Sequence, residues 1–186
     1  MDLLNPTHQR VERINTLREQ WKQHGWCQIR SAFTSDYISA LRLALPAIVP
    51  DSIGPQIPSI IVEKLWDPFN DYTPLWTWLN SDGLIWMSHL TNLSLASPKR
   101  HSLRIQPLYE QAVIRHKETH GVVLFLGIEE ETVHVQGLDK ETSIPLAANQ
   151  MLLLDSRRVP SLIFTPRPPQ TSAQFMVSTW LETTAS

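Results

Sequence analysis

The chain has 186 residues, 42% hydrophobic and 18% charged, with a formal net charge of -2. That is enough for one domain with its own core, and the balance excludes a disordered chain and gives no ground for nucleic acid or an anionic membrane surface as partner. A single cysteine, Cys27, excludes an internal disulfide and a CxxC zinc site.

Residues 8–24 read as a helix, with Val11, Ile14, Leu17 and Trp21 forming one apolar stripe. Thr7 is placed to cap its start and Gly25 its end. Trp26 to Ile29 follows as a short strand. Thr34 or Ser35 opens a second helix carrying Ile38, Leu41 and Leu45, closed by Pro46. Residues 46–74 are proline-rich with little periodicity, and the sequence leaves open whether they form a lid. Pro74 suits the first turn of a helix through Leu79, and Ser81 or Asp82 caps another through about Leu90.

After Pro98 the pattern changes. Leu103 to Gln106, Ala112 to His116, Gly121 to Gly127, Thr132 to Leu138, Met151 to Asp155, Ser161 to Thr165 and Phe175 to Leu181 read as short strands separated by turn signals. Helices followed by strands predict an α+β layout, a barrel or jelly roll behind a helical layer. The expected organisation is one domain, residues 1–186, with a mainly helical layer and proline-rich loop in 1–97 and a β-barrel core in 98–186. No run is long and apolar enough to span a membrane, and no signal peptide is expected, so the expected setting is cytoplasmic. No GxSxG, P-loop, GxGxxG or HExxH pattern occurs, so hydrolase, kinase and dehydrogenase readings lack support.

Six segments, in order, carry a family likeness. His24 to Phe33 has the form HG-x-C-x-(V/I)-x-x-x-F, and Leu103 to Tyr109 leads to a tyrosine. Arg115 to Glu118 stands where RHxD is expected, and Val123 to Leu126 where YYLN is. Leu153 to Ser161 lies over DRRNPH, and Gln174 to Trp180 over RYxxTxW. The chain thus resembles the 2-oxoglutarate/Fe(II) oxygenases, in their prolyl-hydroxylase-like branch. The resemblance implies a double-stranded β-helix, a cupin-like jelly roll, with N-terminal helices packed on one sheet.

The resemblance also assigns roles. His116 matches the first iron ligand and Glu118 the carboxylate, while Ser161, a poor ligand for Fe(II), stands at the third position. Gln174 replaces the arginine that anchors 2-oxoglutarate and lacks its charged fork. Phe125 replaces a tyrosine hydroxyl, whereas Tyr109 is retained. Two histidines are candidates to supply the missing ligand. His120 continues the series from His116 and Glu118, although in a regular strand His116 and His120 lie about 13 Å apart. His134 would face solvent if Val133 and Val135 face the core. Arg157, Arg158 and Arg167 are candidates to hold a carboxylate in place of the lost arginine.

Two functional readings follow. In the first, this is a catalytically degenerate oxygenase relative, its barrel pocket or surface binding a small molecule, peptide or protein, with no cofactor. In the second, it is an active dioxygenase using Fe(II) and 2-oxoglutarate at an altered His-x-Glu site. The joint loss of three matched groups favours the first.

Overall fold

The computed structural model describes residues 3–48, 60–61, 73–99, 102–108, 111–115, 120–128, 133–138, 143–165 and 174–184. A short 3-10 turn, Pro6–Gln9, precedes the first helix, and the Asn5 side chain caps it by accepting from the Thr7 amide at 3.1 Å. Arg10 is extended, so helix α1 spans Val11–His24 and begins later than the periodicity predicts. Leu17 and Trp21 are buried, but Val11, expected in the stripe, is 69% exposed at the helix start. Gly25 ends α1 at φ 76°, its amide donating to the Trp21 carbonyl. This is the left-handed position that favours glycine.

Strand β1 is Trp26–Arg30, followed by helix α2, Ser35–Ile48. Helix α2 runs through Pro46 rather than closing at it. Strand β2 is Ile60–Ile61, and helices α3 (Thr73–Leu79) and α4 (Asp82–Thr91) complete the layer. The remaining strands are β3 (Arg104–Leu108), β4 (Ala112–Arg115), β5 (Gly121–Gly127), β6 (Val133–Gln136), β7 (Ser143–Leu146), β8 (Gln150–Asp155), β9 (Ser161–Thr165) and β10 (Gln174–Glu182).

Two antiparallel sheets form, one ordered β1-β8-β5-β10-β3-β2 and the other β4-β9-β6-β7. The larger sheet is buried on both faces, and alternation deals its side chains to two cores. Val122, Leu124, Leu126, Met151, Leu153 and Val177 face the helices, meeting Leu17, Trp21, Phe33 and Trp86. Val123, Phe125, Leu152, Leu154 and Met176 face the smaller sheet, meeting Val135, Leu162 and Phe164. Burial on both faces explains why β5 and β8 are unbroken apolar runs rather than alternating ones. Each such side chain contributes about 1.5–3 kcal/mol. The architecture is the double-stranded β-helix with N-terminal helices on one sheet.

Candidate functional site

Between the sheets lies a cavity of about 240 Å³, whose lining includes Lys99 and Glu182. Register explains its lining. Phe125 pairs with Ser178, and Ser178 pairs with Arg104, so the three form one row across β5, β10 and β3. Directly paired residues share a face, and Phe125 faces the barrel interior, so Arg104 and Ser178 do too. Val123 pairs with Trp180 in the next row. The cavity is thus floored by Val123, Phe125 and Trp180, with the Ser178 hydroxyl and Arg104 beside them.

Phe125, at the expected tyrosine position, is 1% exposed and tilts against Phe164 with centroids 4.9 Å apart. It offers an aromatic wall and no hydroxyl. Gln174 opens β10 opposite Leu108. Tyr109, His116, Glu118 and Arg167 lie outside the described residues.

Ser161 starts β9 and pairs with Arg115. Leu162 and Phe164 on the same strand lie in the barrel core. Alternation therefore turns Ser161 to the face opposite Leu162 and Phe164, beside Arg115, and Ser161 is not among the described residues that line the cavity. The position matched to the third ligand is a hydroxyl, and it faces the wrong way.

Neither substitute histidine reaches the cavity. His134 is exposed, while Val133 and Val135 on either side are buried. It pairs with Thr165, four residues along β9 from Ser161, or about 13 Å. His120 precedes β5 in phase with Val122, on the helix side of the sheet, and its Nε2 lies 3.5 Å from Asp155 Oδ1. Among the described residues, no group of three His, Cys, Asp or Glu side chains is placed to hold a metal ion. The described part of the site therefore does not fit the iron and 2-oxoglutarate arrangement that the resemblance implies: Ser161 is turned away and Phe125 lacks a hydroxyl.

The arginines after β8 are placed elsewhere. Arg158 donates to the carbonyls of Trp21, Lys22 and Gln23 at 2.8–3.2 Å, covering the C-terminal end of α1. Arg157 is exposed on the turn, where its amide donates to Asp155 Oδ1 at 2.9 Å. Among the described residues, the cationic side chains that line the cavity are Lys99, Arg104 and Arg115, and sequence reasoning missed all three. For Arg104 the signal was present, since it shares one strand face with Leu108, but only the pairing with β10 shows which face is inward. Cys27 is fully buried, and burial raises its thiol pKa far above the usual value, so it stays protonated and unreactive.

The two sheets and the helical layer define the fold of the 2-oxoglutarate/Fe(II) oxygenases, in the prolyl-hydroxylase-like form. A prolyl-4-hydroxylase from Pseudomonas putida matches with a TM-score of 0.64 at 12% identity, over 92% of this chain and 100% of its own. A prolyl hydroxylase from Trichoplax adhaerens, solved with a peptide fragment of the hypoxia inducible factor oxygen degradation domain, gives 0.62 at 11% identity, over 95% and 92%. The epimerase SnoN from nogalamycin biosynthesis, in complex with Fe3+, alpha ketoglutarate and nogalamycin RO, gives 0.64 at 7% identity, over 93% and 84%. No protein-family model and no curated protein sequence matches the chain. Among the described residues, no helix is long and apolar enough to cross a membrane.

Proposed function

We propose that this protein is a catalytically degenerate 2-oxoglutarate/Fe(II) oxygenase-like protein whose barrel cavity serves as a small-molecule binding site. The observation that carries this reading is the register of β9. With Leu162 and Phe164 turned inward, the position that should complete an iron site faces out of the barrel. Two further changes point the same way. Phe125 closes the cavity with an apolar ring, and the chain carries Gln174 in place of the anchoring arginine. The three lost groups serve one reaction, whereas the apolar floor and the cavity itself persist.

The test is a thermal shift of metal-stripped protein with Mn(II), with and without 2-oxoglutarate, alongside an assay of 2-oxoglutarate consumption. A ligand at 100 times its Kd stabilises a fold by about 2.7 kcal/mol, which is roughly 5–10 °C at this chain length. The expected result is no shift with the pair and no consumption. A shift requiring both additives would overturn the reading in favour of an active dioxygenase built on His116 and Glu118.

A further inference from the structure

We infer that the groove between α1 and α4, on the outer side of the helical layer, is the contact surface for a second copy of this chain, packed end for end about a twofold axis. This surface is separate from the barrel cavity, and the inference stands whether or not that cavity binds a ligand. The two helices run parallel: one stretch of the groove is lined by Val11, Ile14 and Arg18 with Asp82, Ile85 and His89, and the next by Arg18 and Lys22 with His89 and Asn92. Arg18 Nη2 donates to the His89 carbonyl at 2.8 Å, which sets the helices level at these two residues. Trp78 and Trp86, both buried, make the floor. Trp86 is held in place by donating from Nε1 to the His8 carbonyl at 3.0 Å.

The first ground is apolar exposure. Val11 and Ile85 are 69% and 60% exposed, and both border this groove. Large apolar side chains gathered over an aromatic floor mark an interaction site, whereas single exposed ones do not. The second ground is the order of charge. Asp82, Ile85 and His89 form one stripe on α4, and Val11, Ile14 and Arg18 form one on α1. Asp82 therefore stands about 10 Å along the groove from the level of Arg18, two turns of helix away. Among the described residues neither Asp82 nor Arg18 is in an ion pair. The bond to His89 uses one of the five N–H donors of Arg18.

A twofold contact uses the same patch on both copies. Turning the second copy end for end sets Arg18 of each copy against Asp82 of the other, so the groove is complementary to itself. Ile14 and Ile85 lie midway and meet their own counterparts at the axis. Val11 then falls at the level of the other copy's Arg18, whose aliphatic stem can cover it. Packing in the same direction instead would set Arg18 against Arg18 and Asp82 against Asp82. Exposed ion pairs add little affinity, so the apolar contacts supply the attraction and the charges set its direction.

The experiment is sedimentation equilibrium of the full chain from micromolar to millimolar concentration, with thermal unfolding of each variant in the dilute range as the check on folding. The expected result is a monomer–dimer equilibrium. Ile85→Asp should raise its dissociation constant by about tenfold or more, while Leu43→Asp, at an exposed position of α2 outside the groove, should leave it unchanged. Arg18→Glu and Asp82→Lys should each weaken the dimer, and the double variant should recover it. A chain that stays monomeric throughout would overturn the inference, leaving the groove to a different partner. A dimer that Ile85→Asp leaves intact, one that Leu43→Asp weakens as much, or a double charge reversal without recovery would overturn it as well.

Discussion

Ser161 lies directly across from Arg115 in the β4–β9 pair, and both stand on the face opposite to Ile114 and Leu162. The relationship bears on whether the iron site can be rebuilt at the matched position. A histidine at residue 161 supplies the right donor in the wrong direction, since alternation fixes the side of the sheet. Ser161→His is therefore expected to leave the protein without a Mn(II)-dependent thermal shift, with or without 2-oxoglutarate. A shift in this variant that the parent lacks would mean that β9 presents residue 161 to the cavity.

Arg158 and Gly25 form a second coupled pair. Arg158 closes α1 by donating to three of its carbonyls, and a Cβ on Gly25 would come within 2.8 Å of the Arg158 Cβ. Gly25 also holds φ 76°. Arg158→Ala should cost about 1–2 kcal/mol, the lower range for charge-assisted bonds because they are largely exposed. Gly25→Ala should cost at least about 1–2 kcal/mol from backbone conformation alone, with the displaced arginine adding to it. Urea unfolding measures both.

What the sequence revealed follows from what is local. Strands β5 and β8 were legible because burial on both faces makes them continuous apolar runs, and α1 ended where Gly25 predicts. Strand β7 was missed because Pro145 and Ser143 break the strand pattern; it survives at the edge of its sheet, where a proline removes no ladder bond. The site was harder. Matching Leu153 to Ser161 against a motif follows chain order, but which side chains face inward depends on pairing with β4 and β6. Arg104 was passed over for the same reason, while the conspicuous pair Arg157 and Arg158 drew the carboxylate role although it sits at the end of α1 and on a turn.

Asn149 joins the helical layer to the barrel. Its Nδ2 donates to the Phe33 carbonyl at 2.9 Å, and its Oδ1 accepts from the Phe33 amide at 2.8 Å. Phe33 is fully buried and meets Trp78 edge-on with centroids 5.0 Å apart. Asn149 itself has φ 57°, a conformation asparagine tolerates better than most residues. Asn149→Ala removes both bonds and leaves the Phe33 peptide without its side-chain partner, so a loss of about 2–3 kcal/mol is expected. Asn149→Gly accepts the positive φ and should lose less of the backbone term. If the two variants unfold at the same urea concentration as the parent, the clamp contributes nothing to stability.

His8 gives the fold a pH dependence of defined sign. The ring is 4% exposed, and its Nε2 lies 2.9 Å and 3.1 Å from the carbonyl oxygens of Arg30 and Ser31. Carbonyls only accept, so Nε2 carries the proton in the neutral ring. Nδ1 is buried without a hydrogen-bond partner among the described residues. Burial lowers the pKa below its usual 6.5, the Arg13 charge adds to this, and the two carbonyl bonds oppose it. The unfolded chain therefore binds a proton before the folded one as pH falls. The stability supplied by neutral His8 is complete above about pH 6.5 and is lost as pH falls from there through the lowered folded value. Urea midpoints between pH 7.5 and 5.5, above most carboxylate titration, should decline in the parent. They should decline less in His8→Gln, whose side chain has an amide donor and no titration. An equal decline in both would assign the pH dependence to other groups.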